Sequence, residues 1–308
     1  MKNILITTSS FGKEDPAPLT VLERAGLTAV LNPFGRKLTE SEAIELFEEY
    51  NPVGMIAGVE PLTRAVLEKG KGLKSIARCG IGMDSVDLTA AGDLGITVTN
   101  TPDAPTIPVA ELTLGMILSL LRQTHVSDAS IRNGAWVRPM GNLLHGKTVG
   151  IIGCGRIGSY LGRLLVPFEC TLLGYDPFCK KSTIFQLTSL EDLLSRSDII
   201  SLHIPFTDEN RHFINASRLG QMKKGALFFN AARGGLVDEN ALYEALSSGY
   251  LGGAALDCFE EEPYMGKLKD LRNTLLTGHI GSYAKEGRAI MEMQAAENLV
   301  RELEKIGI

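Results

Sequence analysis

VGIIGCGRIGSYLGRLL, residues 149–165, passes from an apolar strand pattern through Gly153-Cys154-Gly155-Arg156-Ile157-Gly158 into a helix pattern. Each glycine at this spacing has its own physical task. Gly153 permits a tight turn off the strand, Gly155 lets backbone approach a pyrophosphate, and Gly158 lets helix pack closely on sheet. A helix opening at Arg156 and Ile157 turns free N–H groups and its positive dipole end toward that phosphate, so both residues count as cofactor contacts. The following strand pattern, TLLGYDP, ends in Asp176, about 20 residues on, where an acid accepts the ribose hydroxyls of an adenosine. Asp176 would repel a 2′-phosphate, so NAD is expected over NADP. Without a ligand the stretch is a plain strand–turn–helix, and Asp176 a cap before Pro177. The glycines and the acid together favour the dinucleotide.

Such a loop usually opens a nucleotide-binding domain, yet here it begins halfway along 308 residues. Upstream, short apolar runs at Asn3–Ser9, Thr28–Asn32, Val53–Val59, Lys74–Arg78 and Thr97–Asn100 alternate with helix patterns. The helix pattern at Thr39–Tyr50 opens with Thr39-Glu40-Ser41-Glu42, a capping box. Five such alternations predict a parallel sheet covered on both faces. From Lys147 a second series predicts six strands, at Thr148–Gly153, Thr171–Tyr175, Ile199–His203, Ala226–Asn230, Gly253–Asp257 and Thr274–Thr277. A long helix at 105–122 bridges the series, and helix returns at 284–305. The nucleotide domain is therefore read as an insertion: residues 1–99 with 282–308 form one α/β domain, and residues 100–281 the other. Clefts between domains are favoured small-ligand sites.

Composition narrows the class. A net charge of −5 offers no broad basic field, so no nucleic acid or anionic membrane is expected as a partner. Cys79, Cys154, Cys170, Cys179 and Cys258 are odd in number and never form a C-x-x-C pair. A disulfide framework and a metal site are not expected, and a reducing cytoplasm fits best. Cys79 and Cys154 are read as small apolar filling, with redox sensing as the alternative. The apolar start is too short for a signal peptide, and Val109–Leu121 is too short to span a bilayer.

Hydride chemistry on a hydroxy acid needs a cation for the carboxylate, an acid/base for the hydroxyl proton, and a group that tunes that base. NAARGGLVDE places Arg233 after one strand pattern, DCFEEEP places Glu262 after the next, and TGHIGSYA places His279 after the last. Taken singly these are a turn residue, a solvated acid and a loop histidine. Three complementary groups on one edge point instead to a site.

These blocks, with ARCGIGMDSVD, TNTPDAPTIPVAELTLG and GKTVGIIGCGRIG in the same order, resemble the signature blocks of D-isomer-specific 2-hydroxyacid dehydrogenases. The resemblance covers nearly the whole chain. It implies a flavodoxin-like substrate domain, an inserted Rossmann NAD-binding domain and a homodimer. It further implies that Arg233 binds the substrate carboxylate and carbonyl oxygen, that His279 exchanges the hydroxyl proton, and that Glu262 holds the imidazole. Gly80, Ile81 and Gly82 would offer backbone donors to the carboxylate. Asp257 would meet the nicotinamide carboxamide, while His203, Pro205, Ala231 and Gly281 would line the cofactor. An acid at Glu262, where related formate dehydrogenases carry Gln, favours a hydroxy acid.

Within the family the chain looks most like members that oxidise 3-phosphoglycerate, without the C-terminal regulatory domains that some of them carry, so serine feedback is not expected. Arg78 and Arg138 match positions that can serve a phosphate. A further Arg of those members is missing from IAGVEP, where Glu60 adds repulsion, and this leaves hydroxypyruvate, glyoxylate and lactate-like acids open. Two readings of other classes stand beside these: an NAD-sensing co-repressor-like scaffold and, more remotely, a SAM-dependent methyltransferase.

Overall fold

The computed structural model describes residues 2–308, which divide into two compact units, Met1–Pro105 with Ser282–Ile308 and Thr106–Gly281. The second unit is thus inserted in the first. The first crossing falls six residues beyond the expected one. Thr101 N donates to Gly80 O, Asn100 Nδ2 donates to Ile81 O, and Ala104 packs with Met291, which ties this stretch to unit 1.

Unit 1 is built on β1 (Lys2–Ile6), β2 (Leu27–Leu31), β3 (Gly54–Ala57), β4 (Ser75–Arg78) and β5 (Thr97–Asn100). All are parallel, in the order β2-β1-β3-β4-β5, which is the flavodoxin-like arrangement. Between them run α1 (Ala17–Arg24), α2 (Glu40–Tyr50), α3 (Arg64–Leu67) and α4 (Leu88–Asp93). The capping box at α2 forms as expected: Glu42 N donates to Thr39 Oγ1, and Thr39 N donates to Glu42 Oε2. One sheet face is covered by α2 and α3 side chains such as Phe47, Leu46 and Val66. The other is covered by α1 and the C-terminal helix Lys285–Glu304, through Met291, Ala295, Ala296, Leu299 and Leu303. That helix belongs to unit 1 because its apolar stripe is buried against this sheet and α1.

Unit 2 opens with α5 (Thr106–Arg122) and α6 (Thr124–Arg132). Its sheet has β6 (Thr148–Ile152), β7 (Thr171–Tyr175), β8 (Gln186–Leu187), β9 (Ile199–Leu202), β10 (Leu227–Asn230), β11 (Gly253–Leu256) and β12 (Thr274–Leu276). The order is β12-β11-β10-β9-β6-β7-β8, parallel throughout. Buried on both faces, the central strands are continuous apolar runs rather than alternating ones. α7 (Arg156–Leu165) and α5 cover one face; α8 (Leu190–Arg196), α9 (Ala216–Gln221) and α10 (Glu239–Ser247) cover the other.

Two elements differ from expectation. The sheet has seven strands, because the two-residue β8 pairs with β7 and is too short to leave a pattern. Helix α6 follows a left-handed Gln123 and buries none of its residues, so it carries no apolar stripe to read. Strand order reverses at β6 and β9, and ligands of doubly wound sheets bind at the carboxyl ends of strands beside such a reversal. Among the described residues, no helix is long and apolar enough to cross a membrane.

Candidate active site

The glycine loop leaves β6 at that reversal. A Cβ on Gly158 would overlap Gly153 O, so only glycine lets α7 start this close to the strand. A Cβ on Gly155 would meet nothing within 4 Å, which is the open approach that a pyrophosphate requires. Gly155 caps the ten-residue α7, with Arg156 exposed and Ile157 half-buried in its first turn. Asp176 follows β7, and its carboxylate accepts from Cys154 N at 2.9 Å and Phe178 N at 2.8 Å. The acid expected to read a ribose therefore also fixes the glycine loop, leaving lone pairs for the sugar.

His203 follows β9 against Gly153, whose Cβ would overlap His203 O. Its Nε2 shares a hydrogen bond with Ser201 Oγ at 2.8 Å, while Nδ1 is buried with no partner among the described residues. Burial pushes the imidazole down to about 4, so the ring is neutral near pH 7. Pro205 O accepts from Asn210 Nδ2 at 2.7 Å, which closes the next turn. An open glycine approach, a ten-residue helix start, a paired acid and an orphaned ring nitrogen fit a dinucleotide.

Arg233 lies two residues beyond half-buried Ala231 in the loop after β10. Buried Asn230 shapes this loop: its Oδ1 accepts from Ala232 N at 3.0 Å and its Nδ2 donates to Arg233 O at 2.9 Å. Arg233 Nη1 donates to Ala232 O at 2.8 Å. Next in the chain, a Cβ on Gly234 would overlap the Phe259 carbonyl, so glycine brings this loop onto the one after β11. That second loop carries Glu262, whose Oε1 accepts from Phe259 N at 3.1 Å.

His279 Nδ1 lies 2.9 Å from both Glu262 oxygens, with the side chains 35% and 31% exposed. This leaves Nε2 as the ring's other proton-exchanging atom. His279 has φ +54°, in a region that side-chain-bearing residues seldom adopt. Asp257 supplies the constraint. Its buried carboxylate accepts from Thr277 Oγ1 at 2.6 Å, Ile280 N at 2.8 Å and Gly281 N at 2.7 Å, clamping the loop on both sides of His279. Asp257, which the family resemblance implies as a nicotinamide contact, is placed by these bonds as a positioning residue for the His279 loop. Asn230, Thr277 and Ser201 bear no mark in the sequence, because a small polar residue at a strand end is indistinguishable from an ordinary cap.

In unit 1 one expectation changes. Gly80 N–H is already committed, donating to Thr101 Oγ1 at 2.8 Å and Arg78 O at 3.0 Å. Ile81 and Gly82 are the other two amides offered by that turn, and Ile81 O accepts from Asn100 Nδ2 at 2.8 Å. Arg78 is buried and donates to Cys79 O, whereas Arg138 is exposed in unit 2. Cys79 and Cys154 are buried, and burial pushes their thiols up to about 11 and about 12, which suits apolar filling.

Residues 114–281 match the model of the D-isomer specific 2-hydroxyacid dehydrogenase NAD binding domain. The chain belongs to this family. It is 38% identical over 293 residues to D-3-phosphoglycerate dehydrogenase of Methanocaldococcus jannaschii, covering 92% of this chain and 55% of that protein. It is 37% identical over 273 residues to hydroxypyruvate reductase of Thermotoga maritima, covering 86% and 89%. Among solved structures of similar fold, the TT0316 protein from Thermus thermophilus gives a TM-score of 0.90 at 37% identity, covering 98% and 97%. The chain spans about half the length of the D-3-phosphoglycerate dehydrogenases it matches and most of the hydroxypyruvate reductase. The matched NAD-binding domain lies within unit 2, which holds the glycine loop, Arg233, Glu262 and His279.

Proposed function

We propose that the protein interconverts a short D-2-hydroxy acid and its 2-keto acid with NAD. The observation that carries this reading is the His279–Glu262 pair, held at 2.9 Å on a loop that Asp257 clamps. Bound NAD supplies the hydride acceptor for oxidation and, as NADH, the donor for reduction. Arg233 binds the carboxylate and polarises the carbonyl oxygen, as a planar guanidinium suits. His279 Nε2 takes the hydroxyl proton during oxidation and returns it during reduction. Glu262 holds Nδ1 and balances the charge gained by the ring. Ile81 and Gly82 amides offer neutral donors to a carboxylate.

An acid/base pair has no task in an NAD-sensing scaffold, which weighs against that reading. As to substrate, 3-phosphoglycerate and the unphosphorylated acids share this catalytic set, and relatives of both names occur. Burial of Arg78 favours the unphosphorylated acids. A homodimer fits the exposed apolar segment that includes Trp136 at 79% and Met140 at 90% exposure, and light scattering tests it.

The decisive experiment is NADH oxidation with hydroxypyruvate, glyoxylate, pyruvate and 3-phosphohydroxypyruvate, run on the wild type and His279→Ala. The variant is expected to lose about 10²- to 10⁴-fold in turnover while still binding NADH. An unchanged rate would withdraw His279 as acid/base.

A further inference from the structure

The amino edge of the unit 2 sheet, at the far end of its strands from Arg233 and His279, carries a cavity of about 370 Å³. That is within the range of small-ligand pockets. It is lined by residues that lead into β6, β9, β10, β11 and β12 and by the end of α5. Two of these residues are Gly225, before β10, and Gly252, before β11. Gly225 N donates to Tyr250 O at 2.7 Å, and a Cβ on Gly252 would overlap Gly225 O. The two loops therefore lie backbone against backbone, with no side chain of their own to fill the space. Gln123, at φ +51°, turns α5 into α6, and Asn142 N donates to Leu121 O at 2.8 Å, which fixes the remaining wall.

Charge sets this cavity apart. Four cations line it, Lys147, Lys223, Lys224 and Arg272, against one acid, Asp198. Asp198 is already satisfied, accepting from Lys223 Nζ at 2.5 Å and Thr148 N at 2.9 Å. Lys147, Lys224 and Arg272 form no ion pair among the described residues. The surrounding edge leans the same way. The loops into β6, β7 and β9 to β12 (133–147, 169–170, 197–198, 222–226, 248–252 and 267–273) hold seven Lys or Arg against three acids, Glu169, Asp198 and Asp270. Neither Glu169 nor Asp270 lines the cavity. The whole chain carries −5, so the excess of positive charge is local. His125, also in the lining, keeps its Nε2 buried with no partner among the described residues.

Cations gathered without counter-charge around one concave space repel one another, and its walls focus their field. A multivalent anion relieves that repulsion more than a univalent one. A phosphate group carries about two negative charges at neutral pH and three acceptor oxygens. The guanidinium of Arg272 suits two such oxygens, and the ammonium groups supply point charges for the others. We infer that this cavity binds a small phosphate-bearing anion, at a site separate from the dinucleotide loop. The glycine loop follows the carboxyl end of β6, whereas Lys147 precedes the amino end of that strand, and Lys224 and Arg272 precede those of β10 and β12. A dinucleotide on the glycine loop leaves the cavity open.

The test is calorimetry of pyrophosphate on the NADH-saturated protein at low, fixed ionic strength, so that NADH occupies the glycine loop. One saturable site per chain is expected. Lys224→Gln combined with Arg272→Gln, two exposed positions, is expected to weaken pyrophosphate binding by about tenfold or more. Lys71→Gln combined with Lys74→Gln removes the same charge from exposed positions of unit 1 and should leave the affinity unchanged. Absence of saturable binding overturns the inference. So does equal weakening in the two double variants, which marks an effect of net charge alone. Should the first double variant not fold, a wild-type crystal soaked in tungstate decides. Tungstate is expected between Lys224 and Arg272, and tungstate found only at the glycine loop or elsewhere overturns the inference. Neither readout depends on turnover, so each stands even if the proposed catalysis fails.

Discussion

Acidification isolates the tertiary placement of His203. Burial lowers this imidazole from 6.5 to about 4. Between those pH values the unfolded chain carries a proton on this residue that the folded protein does not. Unfolding then takes up a proton, so stability falls as pH falls. The contribution is complete above pH 6.5 and is lost on descending through pH 4. The fall from 6.5 to about 4, at 1.36 kcal/mol per pH unit, amounts to about 3 kcal/mol in full, and to about 2.5 kcal/mol by pH 4.5. Buried Glu60, shifted upward, contributes with the opposite sign, so the wild type alone does not separate the two. His203→Gln does, because an amide can keep the 2.8 Å contact with Ser201 Oγ yet does not titrate. Urea unfolding at pH 7.5, 5.5 and 4.5, at constant ionic strength, should show the wild type losing about 2.5 kcal/mol more than the variant over that range. Parallel losses in the two proteins would refute the argument. They would mean that the ring is solvated in the folded state.

Two further substitutions probe the clamp and the cofactor acid. Asp257→Ala removes the acceptor of three hydrogen bonds around His279 and should cost about 3 kcal/mol in denaturant unfolding, with turnover reduced far more than NADH binding. Retention of both stability and turnover would show that the loop holds itself. Asp176→Ala removes the carboxylate that repels a 2′-phosphate, so the ratio of NADH to NADPH activity should fall about tenfold or more. Overall affinity should fall as well, since Cys154 N loses its acceptor. An unchanged ratio would exclude Asp176 as the ribose-reading acid.

Much of this protein is written locally. The run at 149–165 and the acid at Asp176 follow from spacing alone, because a turn, a close backbone approach and a helix start each restrict residue type within a few positions. The same holds for the strands at β6 and β9 to β11, whose unbroken apolar runs have to be buried on both faces. Arg233, Glu262 and His279 are legible because each directly follows a strand pattern, and the carboxyl ends of parallel strands are where such sheets place their chemistry. Helix α6 and strand β8 are not legible. One buries nothing and the other is two residues long, so neither imposes a period.

Tertiary structure decided how these groups are held and which charges remain available. Nothing in the order of residues reveals that Asp257 grips the backbone beyond His279, since its partners lie 20 to 24 positions away. Nor does spacing reveal that Thr101 takes the Gly80 amide, or that Glu60 is buried with Thr7 Oγ1 and Gly58 N as its donors. A side chain's charge is written in the sequence, but its neighbours and solvent exposure exist only once distant strands are paired. Electrostatic availability depends on those neighbours and that exposure.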